Sequence, residues 1–87
     1  MTSTSGTGLV VYGAGWCPDV RRSRALLDAD GVAYRYVDVE ASPEAEAAVR
    51  ELQGGERRIP TIVAPDGALL VEPADDELRS WLAERGD

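Results

Sequence analysis

The sequence predicts an α/β fold of order β-α-β-α-β-β-α, a parallel half followed by an antiparallel half, in which a four-stranded mixed sheet is flanked by three helices. Three observations predict it. The apolar run Leu9 to Tyr12 passes through a glycine-containing turn into a helical stretch that opens around Pro18. A second strand-like segment, Tyr34 to Val39, follows that helix, and the right-handed crossover of such a unit leaves its two strands parallel neighbours. Further on, Pro65-Asp66-Gly67 supplies turn chemistry between two short apolar runs, which reads as an antiparallel hairpin.

Taken in order, Met1 to Gly8 is rich in Ser, Thr and Gly and has neither a basic nor an apolar region of the kind a signal peptide needs, so residues 1–8 are expected to be a disordered tail. The domain is expected over residues 9–86. Leu9 to Tyr12 is continuous in its apolar character, as in a strand covered on both faces. The first helix sets Val20, Ser23 and Leu27 at i, i+3 and i+7, with Leu26 widening the stripe and Gly31 as the stop. Ser42 is expected to cap a second helix with Pro43 at its first position, Ala45, Ala48, Val49 and Leu52 on one face, and an end at Gly54-Gly55. Pro60 to Ala64 and Ala68 to Val71 form the hairpin strands. From Pro73 to Arg85 the spacing places Ala74, Leu78, Trp81 and Leu82 on one face of a third helix that closes with Gly86.

Composition narrows the function. Nine basic against 16 acidic residues give a net charge of −7, which argues against nucleic acid and anionic membranes as partners. No stretch has the length of a membrane span. One cysteine forms no internal disulfide, and without histidine no metal site is expected. The expected setting is a monomer in the cytoplasm. Attention therefore falls on Cys17, which sits where the first strand turns into the first helix. Pro18 suits a first helical turn because its missing N–H would be unpaired there anyway. Free amides and the helix dipole at that end favour a negative charge at the sulfur, which is how a thiol becomes a nucleophile. The alternative is that Cys17 is a small buried apolar residue. Asp19 suits the dipole but its charge opposes a thiolate, while Arg21 and Arg22 act the other way. Trp16 is expected to form an aromatic wall beside the sulfur.

The element order, together with Trp16-Cys17-Pro18-Asp19 and the later Ile59-Pro60-Thr61, resembles the glutaredoxin family of the thioredoxin fold, and within it the small bacterial glutaredoxin-like and mycoredoxin-like proteins. The resemblance covers residues 9–84. It implies that Cys17 is catalytic, with Trp16, Pro18, Asp19 and Val20 as its motif neighbours. It also implies that Pro60 is cis, that Ile59 offers its backbone N–H and C=O to an extended thiol ligand bordered by Thr61, and that Asp75 and Asp76 reach a ligand amine, although at a helix start they are most simply partners of its dipole. Arg57 and Arg58, just before Ile59, flank the same groove and are placed to pair with ligand carboxylates; the alternative is that they, like Arg21 and Arg22, are solvated surface charges. Val20 stands where dithiol members carry a second cysteine. The stretch Glu72-Pro73-Ala74-Asp75-Asp76 lacks the family's Gly-Gly pair, and Gly13-Ala14-Gly15 lacks its basic residue. The activity implied is a monothiol thiol–disulfide oxidoreductase that reduces mixed disulfides of proteins or small molecules. Glutathione or mycothiol is its co-substrate, and no resident cofactor or metal is expected. The alternatives are an iron–sulfur cluster carrier and a non-catalytic binding module of the same fold.

Overall fold

The computed structural model describes residues 8–86, so the expectation of disorder over Met1 to Thr7 lies outside the described residues. The elements run β1 (Val10–Gly13), α1 (Pro18–Ala29), β2 (Arg35–Asp38), α2 (Pro43–Leu52), β3 (Thr61–Val63), β4 (Leu69–Val71) and α3 (Asp75–Gly86). They form one four-stranded sheet of order β2-β1-β3-β4. β1 pairs parallel to β2, while β1 with β3 and β3 with β4 are antiparallel. This is the thioredoxin-like arrangement that the resemblance implies.

Registry explains where the core sits. Tyr36, Val11, Ile62 and Leu70 lie opposite one another across the four strands. Strand residues in register share a face of the sheet, and this row packs with Leu26 and Leu27 of α1 and with Leu78, Trp81 and Leu82 of α3. The adjacent row, Tyr12 and Val37, packs with Ala45 and Val49 of α2 on the opposite face. Leu27, Ile62 and Leu78 are fully buried, and burial of such a side chain stabilises by about 1.5–3 kcal/mol.

The helix boundaries follow from local chemistry. Ser42 caps α2 by accepting the Ala45 N–H at 3.2 Å, and Pro43 occupies the first turn. Gly31, with φ 70°, reverses the chain after α1. Two face assignments need correction. Leu52 is 44 % exposed, because the buried face of α2 ends with Ala45 and Val49 and Leu52 lies in the turn beyond them. Ala74 is exposed and precedes α3 instead of lining it. Its C=O accepts from Leu78 and its N–H donates to Glu77 Oε1 at 3.3 Å, so it starts the helix while Pro73 takes the buried place.

Candidate active site

Cys17 is the N-cap of α1, with extended backbone at φ −79° and ψ 120°, and Pro18 follows in the first turn. The turn is held by the Cys17 N–H on Ala14 O and by the Arg21 N–H on Cys17 O, both at 3.1 Å. The Cys17 side chain makes no capping hydrogen bond. The positive end of a twelve-residue helix is thus left to face whatever negative charge forms at the sulfur. Gly13 lets this helix come close to the sheet: a Cβ there would stand 2.6 and 2.9 Å from the two Val20 methyls. Val20 is fully buried.

The sulfur is nearly covered, with Cys17 9 % exposed. It belongs to a cluster with Ala14, Val20, Val39, Ala45, Val49 and Ile59. The Ile59–Pro60 bond is cis, and both residues are buried. The fold therefore brings Ile59, distant in sequence, against Cys17 and Val20 at one end of the sheet, with Trp16 next to the cysteine in the chain. Leading into Ile59, the Gln53 amide holds Arg58 on both sides of its backbone: Oε1 accepts the Arg58 N–H at 3.1 Å and Nε2 donates to Arg58 O at 3.0 Å. Gln53 Nε2 also donates to Thr61 Oγ1 at 2.6 Å, and that hydroxyl donates to Arg58 O at 2.6 Å. Thr61 is fully buried, so this small network satisfies its hydroxyl.

Each arginine expected at the rim has a partner. Arg21 Nε donates to Gly15 O at 3.1 Å. Arg22 pairs with Asp19 at 3.0 Å and with Asp75 Oδ1 at 3.3 Å, linking α1 to the start of α3. Arg57 lies 3.6 Å from Glu40 and Arg58 2.8 Å from Glu72. Glu72 has φ 50° and donates its N–H to Pro60 O at 2.9 Å, so the segment before α3 folds back onto Pro60. Asp76 Oδ1 accepts from the Glu77 N–H at 2.9 Å, a contact within the first turn of α3. Trp16 is 58 % exposed, and its indole N–H donates to Glu40 Oε1 at 3.0 Å.

Four contributors escape sequence reasoning. Gly13 acts through Val20, Gln53 through Arg58 and Thr61, and Glu40 through the distant Trp16, and their residue types alone signal none of these contacts. Tyr36 is the fourth: its ring carries the Arg24 guanidinium at 3.8 Å and its hydroxyl is buried with no hydrogen-bond partner among the described residues. Burial, reinforced by the Asp38 charge, pushes the Tyr36 phenol up. Arg24 also donates to Tyr34 OH at 3.1 Å, and this hydrogen bond is the main cause that holds the guanidinium above its ordinary value, against the opposing effect of burial.

Comparison with known proteins agrees with this geometry. The chain is 34% identical over 76 residues to a protein of Mycobacterium tuberculosis named as a glutaredoxin, covering 87% of this chain and 90% of that one. It is 31% identical over 72 residues to mycoredoxin 1 of Corynebacterium glutamicum, covering 83% and 89%. The crystal structure of the glutaredoxin from Methanosarcina mazei superposes with a TM-score of 0.73 at 27% identity, over 87% of this chain and 78% of that one. The family model for glutaredoxin matches residues 9–69, from the strand before Cys17 to the hairpin after Pro60, and the chain belongs to the glutaredoxin family of thiol oxidoreductases.

Proposed function

We propose that the protein is a monothiol thiol–disulfide oxidoreductase in which Cys17 is the nucleophile and a low-molecular-weight thiol, glutathione or mycothiol, is the co-substrate. The observation that carries this is the chain's one cysteine at the N-cap of α1 with Val20, not a second thiol, one turn on. The Cys17 thiolate attacks the small-thiol sulfur of a mixed disulfide. The old S–S bond breaks, the partner's thiolate leaves, and a new S–S bond joins Cys17 to the small thiol. A second small thiolate then attacks that bond, releasing a small-molecule disulfide and restoring the Cys17 thiolate. Electrons balance over the cycle: one free small thiol is consumed, the partner's thiol is released in reduced form, and the small half of the mixed disulfide leaves joined to the consumed thiol as the small-molecule disulfide. Trp16 and Ile59 border the incoming disulfide, and the buried Thr61 braces the loop behind them through Arg58 O. Arg58, Asp75 and Asp76 stand further along the same rim, with Pro18, Asp19 and Val20 supporting the sulfur from α1. The protein works as a monomer in the cytoplasm without a resident cofactor.

Mass spectrometry after treatment with glutathione disulfide or mycothiol disulfide is expected to show one adduct on Cys17, reversed by excess small thiol and absent in Cys17→Ser. Turnover of a mixed disulfide with each thiol in parallel then identifies the co-substrate. If Cys17 is reduced and reachable by an alkylating reagent yet neither thiol supports turnover, the reading fails. A coloured protein after anaerobic preparation with iron and sulfide would instead support the cluster carrier.

A further inference from the structure

Glu40 follows β2 and uses both of its carboxylate oxygens. Oε1 accepts the Trp16 indole N–H at 3.0 Å, and Oε2 lies 3.6 Å from Arg57 Nη2. One side chain thus joins the turn that carries Cys17 to the loop that leads into Ile59 and Pro60. Its own backbone is well fixed. The Glu40 N–H donates to Asp38 Oδ1 at 2.8 Å, and the preceding Val39, 1 % exposed, donates its N–H to Gly13 O at 2.9 Å. Trp16, although 58 % exposed, is therefore held by its indole N–H, and Arg57 is already matched by a carboxylate of the same chain.

We propose that Glu40 is a specificity-determining residue for the oxidoreductase reaction, an inference that rests on the function proposed above. Its carboxylate holds the indole as a docking face beside the sulfur and masks the Arg57 charge. Disulfides without net negative charge dock on the indole directly. An anionic disulfide gains a salt bridge to Arg57 only by displacing Glu40, so the net attraction for it is small. The loop end is thereby biased toward uncharged substrates by a residue that never touches the reacting sulfurs.

The experiment follows the first half-reaction alone. The Cys17 thiolate attacks a symmetrical disulfide, one S–S bond breaks as another forms, and one small thiolate leaves. Adduct formation is timed by intact mass with anionic glutathione disulfide and with uncharged hydroxyethyl disulfide, on the wild type, Glu40→Gln, Arg57→Ala and the double variant. Thermal melts confirm folding of each. Glu40→Gln keeps an oxygen for the indole but removes the charge, so the rate ratio of glutathione disulfide to hydroxyethyl disulfide is expected to rise about three-fold. The rise should vanish in the Arg57→Ala background, as coupling through one contact requires. Glu40→Ala should also lower the rate with hydroxyethyl disulfide and the fluorescence anisotropy of Trp16, read in a Trp81→Phe background. An unchanged ratio in Glu40→Gln, or a rise that survives Arg57→Ala, overturns the masking of Arg57. An unchanged anisotropy and hydroxyethyl disulfide rate in Glu40→Ala overturn the docking face. In all these outcomes the wild type still forms its adduct; a wild type that forms none with either disulfide overturns the oxidoreductase reading and this inference together.

Discussion

Tyr36 carries a hydroxyl that the fold covers without satisfying. Removing an unpaired buried donor is favourable or neutral, so Tyr36→Phe is expected to stabilise the protein by about 1 kcal/mol in urea unfolding. The ring and its stacking with Arg24 at 3.8 Å survive the change. The pH dependence has a defined sign. Burial raises the folded phenol above its ordinary value, which is about 10. The folded state therefore binds this proton more tightly than the unfolded chain. That stabilisation is complete below the ordinary value and is lost as pH rises through the raised folded one. The stability gap between Tyr36→Phe and wild type should widen at strongly alkaline pH, and an equal gap at neutral and alkaline pH would disprove the assignment. Asp66 shows the opposite sign. Its carboxyl is held below the usual range first by the Ala68 N–H and then by Arg85. Its contribution is present above the ordinary carboxyl value and fades as pH falls through the lowered one. An Asp66→Asn variant should accordingly flatten the acid limb of a melting-temperature profile.

At the scale of elements, the seat of α1 on the sheet depends on Gly13. A methyl at that position meets the Val20 side chain at 2.6 Å, and both groups are buried in tight packing. Gly13→Ala should destabilise by about 1–3 kcal/mol and slow adduct formation at Cys17, measured by thermal melts and by mass spectrometry. Val20→Cys is a milder change that loses one methyl yet puts a thiol one turn from Cys17. It should form an internal disulfide on oxidation, seen as loss of two hydrogens in the intact mass. What the sequence made legible follows the same division between local and distant causes. Ser42, Pro43, Pro18 and Gly31 act on their own neighbours, and both ends of α1 and the start of α2 are readable from them. Helical spacing misplaces Leu52 and Ala74, because it names a face without saying how far the opposing layer reaches. The Ala68 N–H turns to Asp66 Oδ1, so β4 starts one residue later than its apolar run. Within the candidate site, Cys17 and the Ile59–Pro60 pair lie in short motifs and could be found. Glu40 and Gln53 could not, since a lone Glu or Gln in a polar loop looks the same whether or not it braces a neighbour.

For the whole molecule the dominant quantity is a net charge of −7. Its field reaches beyond any one pair, over about 10 Å at moderate salt, and acts on the approach of charged disulfides. Adduct formation with dicationic cystamine should slow as sodium chloride is raised, that with glutathione disulfide should quicken, and that with hydroxyethyl disulfide should stay level. Equal salt responses for all three would show that the field does not reach the sulfur. The strand order carries a different consequence, for the life of the chain before it is finished. Val10 in β1 meets Arg35 on one side and Val63 on the other. The ribosome therefore delivers the parallel partner of β1 long before its antiparallel one. In that interval Cys17 already exists, while Ile59 and β3, which later close over its end of the sheet, do not. A thiol that is 9 % exposed in the finished protein is open to oxidants throughout that part of its synthesis, so the unfinished chain, more than the folded protein, is where oxidative damage to this cysteine would begin.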